Sequence, residues 1–224
     1  WRCSTLVLSW VQAGGGEPMG RPVLRVARPD DAQSLVGIYA HYVEKTAISF
    51  EWELPSVEEF AARMRRTLET YPYLVVERSD RICGYAYAGA FVGRTAYAWS
   101  AETTIYLRED ERGHGLGARL YQALENVLRA QGVLNLYACI GCTSVEDEYL
   151  TNASQRFHTR YGFREVGTFH DCGRKFGRWY DMMWMEKVIG SHAVDASRVI
   201  AFSELSSKAL AAAGVGKTLG LGGT

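Results

Sequence analysis

Apolar and polar residues recur along this chain with two different periods, and the points where the period switches mark its elements. The run VLRVAR reads as a strand over 23–28. The period then lengthens: Leu35, Ile38, Tyr39, Tyr42 and Val43 share one face of a helix over 30–43, and Pro29 with two aspartates suits its first turn. Ser56 followed by Glu59 is a capping-box pattern that opens a second helix, running to about Thr70. YLVVER and ICGYAYAGAF read as strands around a turn at Ser79-Asp80, and AYAWSAETTIYL as a longer strand over 96–107. ARLYQALENVLRAQ is an amphipathic helix closed by Gly132. LNLYACI is a strand and residues 151–161 a helix, while FREVGTFHD and GRWYDMMWMEKV are closing strands, the second with aromatics at period two. The order β-α-α-β-β-β-α-β-α-β-β is α+β with a mixed sheet, neither doubly wound nor a barrel.

Patterning fades at both ends. Residues 1–20 have no usable period and carry a Gly-Gly-Gly run, and Met19 reads as an initiator because a strand follows at once. After Gly190 the composition shifts to Ala, Ser and Gly, with part of 198–213 helical and the last residues disordered in character. The expected organisation is therefore an N-terminal extension over 1–20, one domain over 21–190 and a flexible tail over 191–224.

Composition narrows the function classes. Hydrophobic residues make up 47%, enough for a core, and Lys+Arg balance Asp+Glu at 25 each, so nothing pulls the whole chain toward nucleic acid or an anionic membrane. The stretch LVLSWV is too short to span a bilayer and lacks the flanks of a signal peptide, which points to the cytoplasm. The 5 cysteines are odd in number and scattered, so they form no disulfide framework. Cys139-Ile-Gly-Cys142 has no second ligand pair, so the expectation is buried small residues in a reducing compartment and no metal.

The chemistry concentrates where a strand meets a helix. Residues 112–117 read Arg-Gly-His-Gly-Leu-Gly, after ETTIYLRE and before the amphipathic helix. Glycines let a ligand approach the backbone, and the N–H groups of a helix's first turn point at an anion. The loop is not a P-loop, lacking Lys-Ser/Thr, and it is not G-x-G-x-x-G. On its own it fits a pyrophosphate cradle and a plain turn equally well. Mid-strand Glu102, in Trp-Ser-Ala-Glu-Thr-Thr among aromatic and β-branched residues, is a carboxylate whose burial raises its pKa toward the range of a general base.

The loop matches R/Q-x-x-G-x-G/A and resembles the acetyl-CoA pyrophosphate loop of the GNAT superfamily of N-acetyltransferases. IYAHYVEKTAISFE, YPYLVVE, RGHGLGARLY, FHTRYGF and KFGRWYDM look like the phosphinothricin / methionine sulfoximine N-acetyltransferase branch, over nearly all of 21–190. The resemblance implies the GNAT acyl-CoA N-acyltransferase fold with a splayed central sheet, acetyl-CoA as co-substrate, no metal, and a small-molecule primary amine as acceptor; it leaves room for a homodimer. It assigns cofactor binding to Arg112, to the amides of Gly113, His114, Gly115, Leu116, Gly117 and Ala118, and to the strand backbone at Ile105, Tyr106 and Leu107.

It makes Glu102 the base that deprotonates the amine. Counting back from Phe163, His158 takes the family's tyrosine place and becomes the acid for the departing thiolate, an imidazole titrating near neutrality. The same count puts Thr151 or Asn152, with Ser154, beside CoA. Arg94, Tyr97 and Tyr106 match residues near an amino-acid acceptor, Arg94 as a bidentate anchor for its acid group, with Trp179 and Phe50 as walls. No cysteine is placed for a covalent acetyl intermediate, so transfer is expected to be direct, in an ordered ternary complex. The segment CTSVEDEYL over 142–150 is longer than in the herbicide-modifying enzymes and carries Glu146, Asp147 and Glu148, so the acceptor is not fixed. A polyamine, an aminoglycoside or a protein N-terminus stays open as acceptor. So does a CoA-binding module without turnover, although Glu102 and His158 together favour an enzyme.

Overall fold

The structure, a computed structural model, describes residues 20–216. The expectations for residues 1–19 and 217–224 lie outside the described residues. Seven strands form one sheet: β1 (Val23–Val26), β2 (Tyr73–Arg78), β3 (Arg81–Ala90), β4 (Ser100–Leu107), β5 (Asn135–Cys142), β6 (Arg164–Lys175) and β7 (Arg178–Val188). Five helices accompany them: α1 (Ala32–Lys45), α2 (Val57–Thr70), α3 (Leu116–Gln131), α4 (Ala153–Arg160) and α5 (Ser207–Ala212). The sheet order is β1-β2-β3-β4-β5-β7-β6, with every neighbour antiparallel except β4 and β5.

The sheet separates two apolar layers. On one face α1 and α2 bury Leu35, Ile38, Tyr39, Phe60 and Met64 against Tyr73 and Tyr85. On the other, α3 buries Leu120, Tyr121, Leu124 and Leu128 against Leu74, Ala86 and Ala101. Strand alternation sorts the residues of β4 between them. Tyr106 packs with the α1–α2 layer, whereas Ala101, Ile105 and Leu107 pack with the α3 layer.

β4 and β5 pair only from Ser100↔Asn135 to Glu102↔Tyr137. Beyond that point both strands continue, β4 to Leu107 and β5 to Cys142, but as separate edges. The sheet therefore splays open immediately after Glu102.

Local signals explain most boundaries. Ser56 Oγ accepts from Glu59 N at 3.1 Å, capping α2, but the reciprocal arm of the capping box is missing because the Glu59 carboxylate pairs with Arg63 at 2.6 Å. β4 is shorter than its pattern. Thr95–Tyr97 form a 3₁₀ turn instead, and Phe91 stacks on Tyr137 at 3.9 Å, folding the β3–β4 connection across β5. β6 runs past its expected end to Lys175, its pairing interrupted by an irregularity between Phe169 and Gly173 where Asp171 adopts φ 49°.

The tail expected to be flexible from 191 does not behave as one over its described part. Phe202, Ala213 and Val215 are buried, and Val199, Leu205 and Leu210 pack on the same α3-side core. Gln131, 1% exposed, donates its side-chain amide to Ile200 O at 2.9 Å, and its backbone carbonyl accepts the Ile200 N–H. Gly216 N donates to Leu24 O, and Trp99 Nε1 to Ser197 O at 2.9 Å. The Ala/Ser-rich composition hid a few well-spaced apolar residues that find a groove between α2 and α3.

Candidate active site

The splay creates two joined depressions. A groove of about 300 Å³ is lined by Tyr42, Ile48, Ile105, Leu107, Arg112, Gly113, Gly117, Thr151, Ser154 and Phe157, among others. A cleft of about 450 Å³ continues from it along β4 and β5, with Glu102, Thr104, Tyr87, Phe50, Cys139 and His158 in its walls. Ile48, Ile105 and Ser154 border both.

The head of the groove is built for an anion. Gly113 and Gly115 take φ 80° and 74°, the left-handed region that a side chain would strain. Gly115 is the N-cap of α3, no side chain caps the helix, and its first turn holds no acidic residue. Its leading N–H groups and dipole are thus left for a ligand. Arg112 stands over the Tyr42 ring at 5.1 Å and lines the groove. These features fit the pyrophosphate and pantetheine of an acyl-CoA.

Not every residue expected at the cofactor is placed there by its side chain. Leu116 is buried in the core, and Ala118 and His114 are exposed outside the groove lining, so all three have only backbone groups to offer. Leu107 offers less than expected: its carbonyl accepts from Tyr42 Oη at 2.6 Å and its N–H donates to the same hydroxyl at 3.1 Å. Tyr42 therefore occupies the β4 edge at that position. Between Thr151 and Asn152 the structure distinguishes clearly. Asn152 Nδ2 donates to Thr143 O at 2.9 Å and its Oδ1 accepts from Thr143 N, tying β5 to α4, while Thr151 lines the groove.

Glu102 is half-buried in the cleft wall, and desolvation raises its pKa above the ordinary glutamate range. It stands at the last paired position before β4 and β5 separate. His158 is 3% exposed, and both ring nitrogens are engaged. Nδ1 donates to Ser154 O at 2.8 Å, which leaves Nε2 to accept from Tyr121 Oη at 3.1 Å. Tyr121 Oη also meets Thr103 Oγ1, whose single hydrogen is shared between that phenol oxygen and Tyr137 O at 3.0 Å. Burial lowers the pKa of His158 and holds it neutral near pH 7. A neutral ring with no free N–H does not fit the expected role of acid to a thiolate. Cys139 also departs from expectation: it is exposed, not buried, and lines the cleft. Desolvation, with Glu102 nearby, pushes its thiol up to about 11, so it is protonated at neutral pH and a poor nucleophile.

The expected acceptor residues divide. Phe50 and Tyr106 line the cleft. Arg94 and Tyr97 do not: both are exposed on the β3–β4 connection, Tyr97 edge-on to Phe91 at 6.1 Å. Trp179 is 58% exposed beneath the Arg174 guanidinium, outside the cleft. The acidic segment is not free for a cation either, since Arg178 pairs with Asp147 at 2.7 Å and Glu148 at 2.9 Å, and Arg156 pairs with Glu146. Sequence reading missed Tyr42, Thr103 and Tyr121. Each sits on the apolar face of its element, and only its polar tip, invisible in a hydrophobic period, reveals a second role.

Residues 24–184 match the family model of the acetyltransferase (GNAT) domain, and the chain belongs to that family: it is an acetyl-CoA-dependent N-acetyltransferase. It is 36% identical over 162 residues to the phosphinothricin N-acetyltransferase of Streptomyces coelicolor, spanning 70% of this chain and 91% of that protein. It is 33% identical over 165 residues to the L-methionine sulfoximine/L-methionine sulfone acetyltransferase of Pseudomonas aeruginosa, spanning 73% and 92%. Among solved structures, the GNAT superfamily phosphinothricin acetyltransferase from Sinorhizobium meliloti in complex with acetyl-CoA superimposes with TM-score 0.71 at 31% identity, covering 80% of this chain and 94% of that one. Among the described residues no helix is long and apolar enough to cross a membrane, and no group of three or more His, Cys, Asp or Glu is arranged to hold a metal.

Proposed function

We propose that this enzyme acetylates the primary amine of a small amino acid or analogue of the phosphinothricin or methionine sulfoximine type. The carrying observation is the splay of β4 from β5 directly after Glu102, which leaves a desolvated carboxylate in the wall of the cleft that the cofactor groove opens into. The similarity to relatives bearing those two substrate names supports the acceptor class.

In this reading Arg112 and the α3 amides hold the pyrophosphate, and Thr151 with Ile105 borders the pantetheine. Glu102 takes a proton from the acceptor ammonium, and the free amine attacks the thioester carbon directly. Ser154, which borders both groove and cleft, hydrogen-bonds the departing thiolate, which takes up the proton the nitrogen loses as the tetrahedral intermediate collapses to amide and CoA thiol. His158 positions rather than reacts: through Tyr121 and Ser154 it locks α4 to α3 and fixes the Ser154 wall. A thiol-release assay with acetyl-CoA over amino acids, polyamines and aminoglycosides tests the reading. Turnover is expected with L-phosphinothricin or L-methionine sulfoximine. Preference for a polyamine or aminoglycoside over every amino acid would overturn the acceptor class.

A further inference from the structure

The cleft that holds Glu102 has one wall outside the sheet. Ile48, Ser49, Phe50 and Glu51 line it, and they belong to the connection between α1 and α2, outside every helix and strand. No ladder of backbone hydrogen bonds sets the position of such a wall, so it is placed by whatever packs behind it. Here that support is the end of β6.

A tight hairpin joins β6 to β7. Lys175 pairs with Arg178, and the two residues between them, Phe176 and Gly177, take φ 50° and 76°, as a two-residue type I′ turn requires. The Phe176 ring stacks on Tyr149 at 4.3 Å, which pins the tip of the hairpin and Lys175 with it. Gly173 lies two residues before Lys175, so the two share one face of the strand. Gly173 also pairs with Tyr180, which is buried beside Ile48 and Phe50.

Both residues of that face meet the wall. Lys175 is 2% exposed, and its Nζ donates to Ser49 O at 2.6 Å. Burying an ammonium against a neutral carbonyl is unfavourable, because one such bond does not offset the lost hydration; desolvation accordingly lowers the pKa of Lys175. Gly173 meets the next residue of the wall. A Cβ there would come within 2.5, 2.7 and 2.9 Å of three atoms of the Phe50 ring, closer than non-bonded carbons approach. The ring thus fills the space that a side chain on β6 would need. From the α1 side, Tyr39 Oη lies 2.7 Å from Ser49 Oγ, so the wall is held between α1 and β6.

Resting on the reading of this cleft as the acceptor site, we propose that Gly173 and Lys175 are positioning residues for the acceptor: Lys175 fixes the Ser49 carbonyl, Gly173 seats the Phe50 ring, and together they set the width of the cleft. Neither residue lines the cleft, so both act on the acceptor through Phe50 and its loop. Of that loop the cofactor groove borders Ile48, the rest of its lining coming from α1, β4, the glycine loop and the start of α4. The effect therefore falls on the acceptor and spares acetyl-CoA.

The test compares the wild type with Gly173→Ala, Phe50→Leu, the two combined, Lys175→Met and Lys175→Arg, each as the full chain. KM for L-phosphinothricin, L-methionine sulfoximine and acetyl-CoA is measured by thiol release. Gly173→Ala is expected to raise KM for both acceptors about fivefold or more, with KM for acetyl-CoA within about twofold. In the Phe50→Leu background, where the smaller side chain leaves room for the added methyl, Gly173→Ala is expected to change acceptor KM by less than about twofold. Lys175→Met keeps the stem without the donor and is expected to raise acceptor KM about fivefold or more, the scale of one lost hydrogen bond, while Lys175→Arg recovers part of the loss. The Gly173→Ala comparison stands whether or not Lys175→Met folds. An equal effect of Gly173→Ala in both backgrounds, a parallel rise in KM for acetyl-CoA, or an unaltered acceptor KM in Gly173→Ala overturns the positioning role while leaving the amino-acid reading standing. A wild type that turns over neither acceptor overturns both.

Discussion

Glu102 is the proposed base because of where it sits. Half-buried at the point of strand separation, it carries a pKa above the ordinary glutamate range from desolvation. A base must be ionised to work, so kcat/KM is expected to rise with pH through that raised pKa and to fall below it. Glu102→Gln keeps the shape and removes the proton acceptor. Turnover is expected to drop about 10²–10⁴-fold with acetyl-CoA affinity little changed, and the acidic limb of the pH–rate profile to flatten. A variant with near-normal turnover at every pH would mean that water or another group takes the proton. His158 shows the opposite effect of burial. Its lowered pKa and doubly bonded ring make it a neutral strut, although in sequence it occupies the place of a catalytic acid.

At the scale of elements, the proposed cofactor site is the strand–loop–helix unit of β4, residues 108–115 and α3, and its parts are separable by mutation. Arg112→Ala removes one charge-assisted contact and is expected to weaken acetyl-CoA binding by about 1.5–3 kcal/mol. Gly115→Val forces a β-branched residue to φ 74° and narrows the approach to the helix N-terminus, so the loss is expected to be at least as large. Calorimetric titration of acetyl-CoA checks both, and unchanged affinity in both variants would remove the loop from pyrophosphate binding. This unit was legible in the sequence because glycines, a strand and an amphipathic helix are consecutive there, as were most element boundaries. The rest of the site was not, because it is assembled across layers. Tyr121 meets His158 from 37 residues away and Tyr42 reaches Leu107 from 65 away. Arg94 was also not placed by the sequence pattern: its neighbours carried the strand period, but the chain turns at Thr95–Tyr97 and leaves it exposed on the β3–β4 connection.

Across the whole molecule, the sheet with its two helical layers is closed by a segment that composition alone assigns to a loose tail. Residues 197–216 run from Trp99, at the start of β4, past α2 and α3 to the β1 strand. Ser203 Oγ donates to Glu69 O at 2.9 Å, and Asn126 Nδ2 to Ala213 O at 3.4 Å. Deleting everything after Gly190 exposes the groove that holds Phe202, Ala213 and Val215 and leaves Gln131, a buried amide, without its Ile200 partners. Burial of a few apolar side chains, less the entropy of ordering the segment, makes the expected loss on the order of 3 kcal/mol. For a domain of this size that lowers Tm by roughly 6–12 °C. The groove and cleft contain no residue beyond Met182, so acetyl-CoA affinity of the shortened chain is expected to persist well below the new Tm. Calorimetric melting of the two forms, with acetyl-CoA titration at low temperature, decides the matter. An unchanged Tm would mean that the segment's contacts contribute nothing net. A lost affinity in a folded shortened chain would mean that the Trp99–Ser197 link, by holding the start of β4, also sets the opening between β4 and β5.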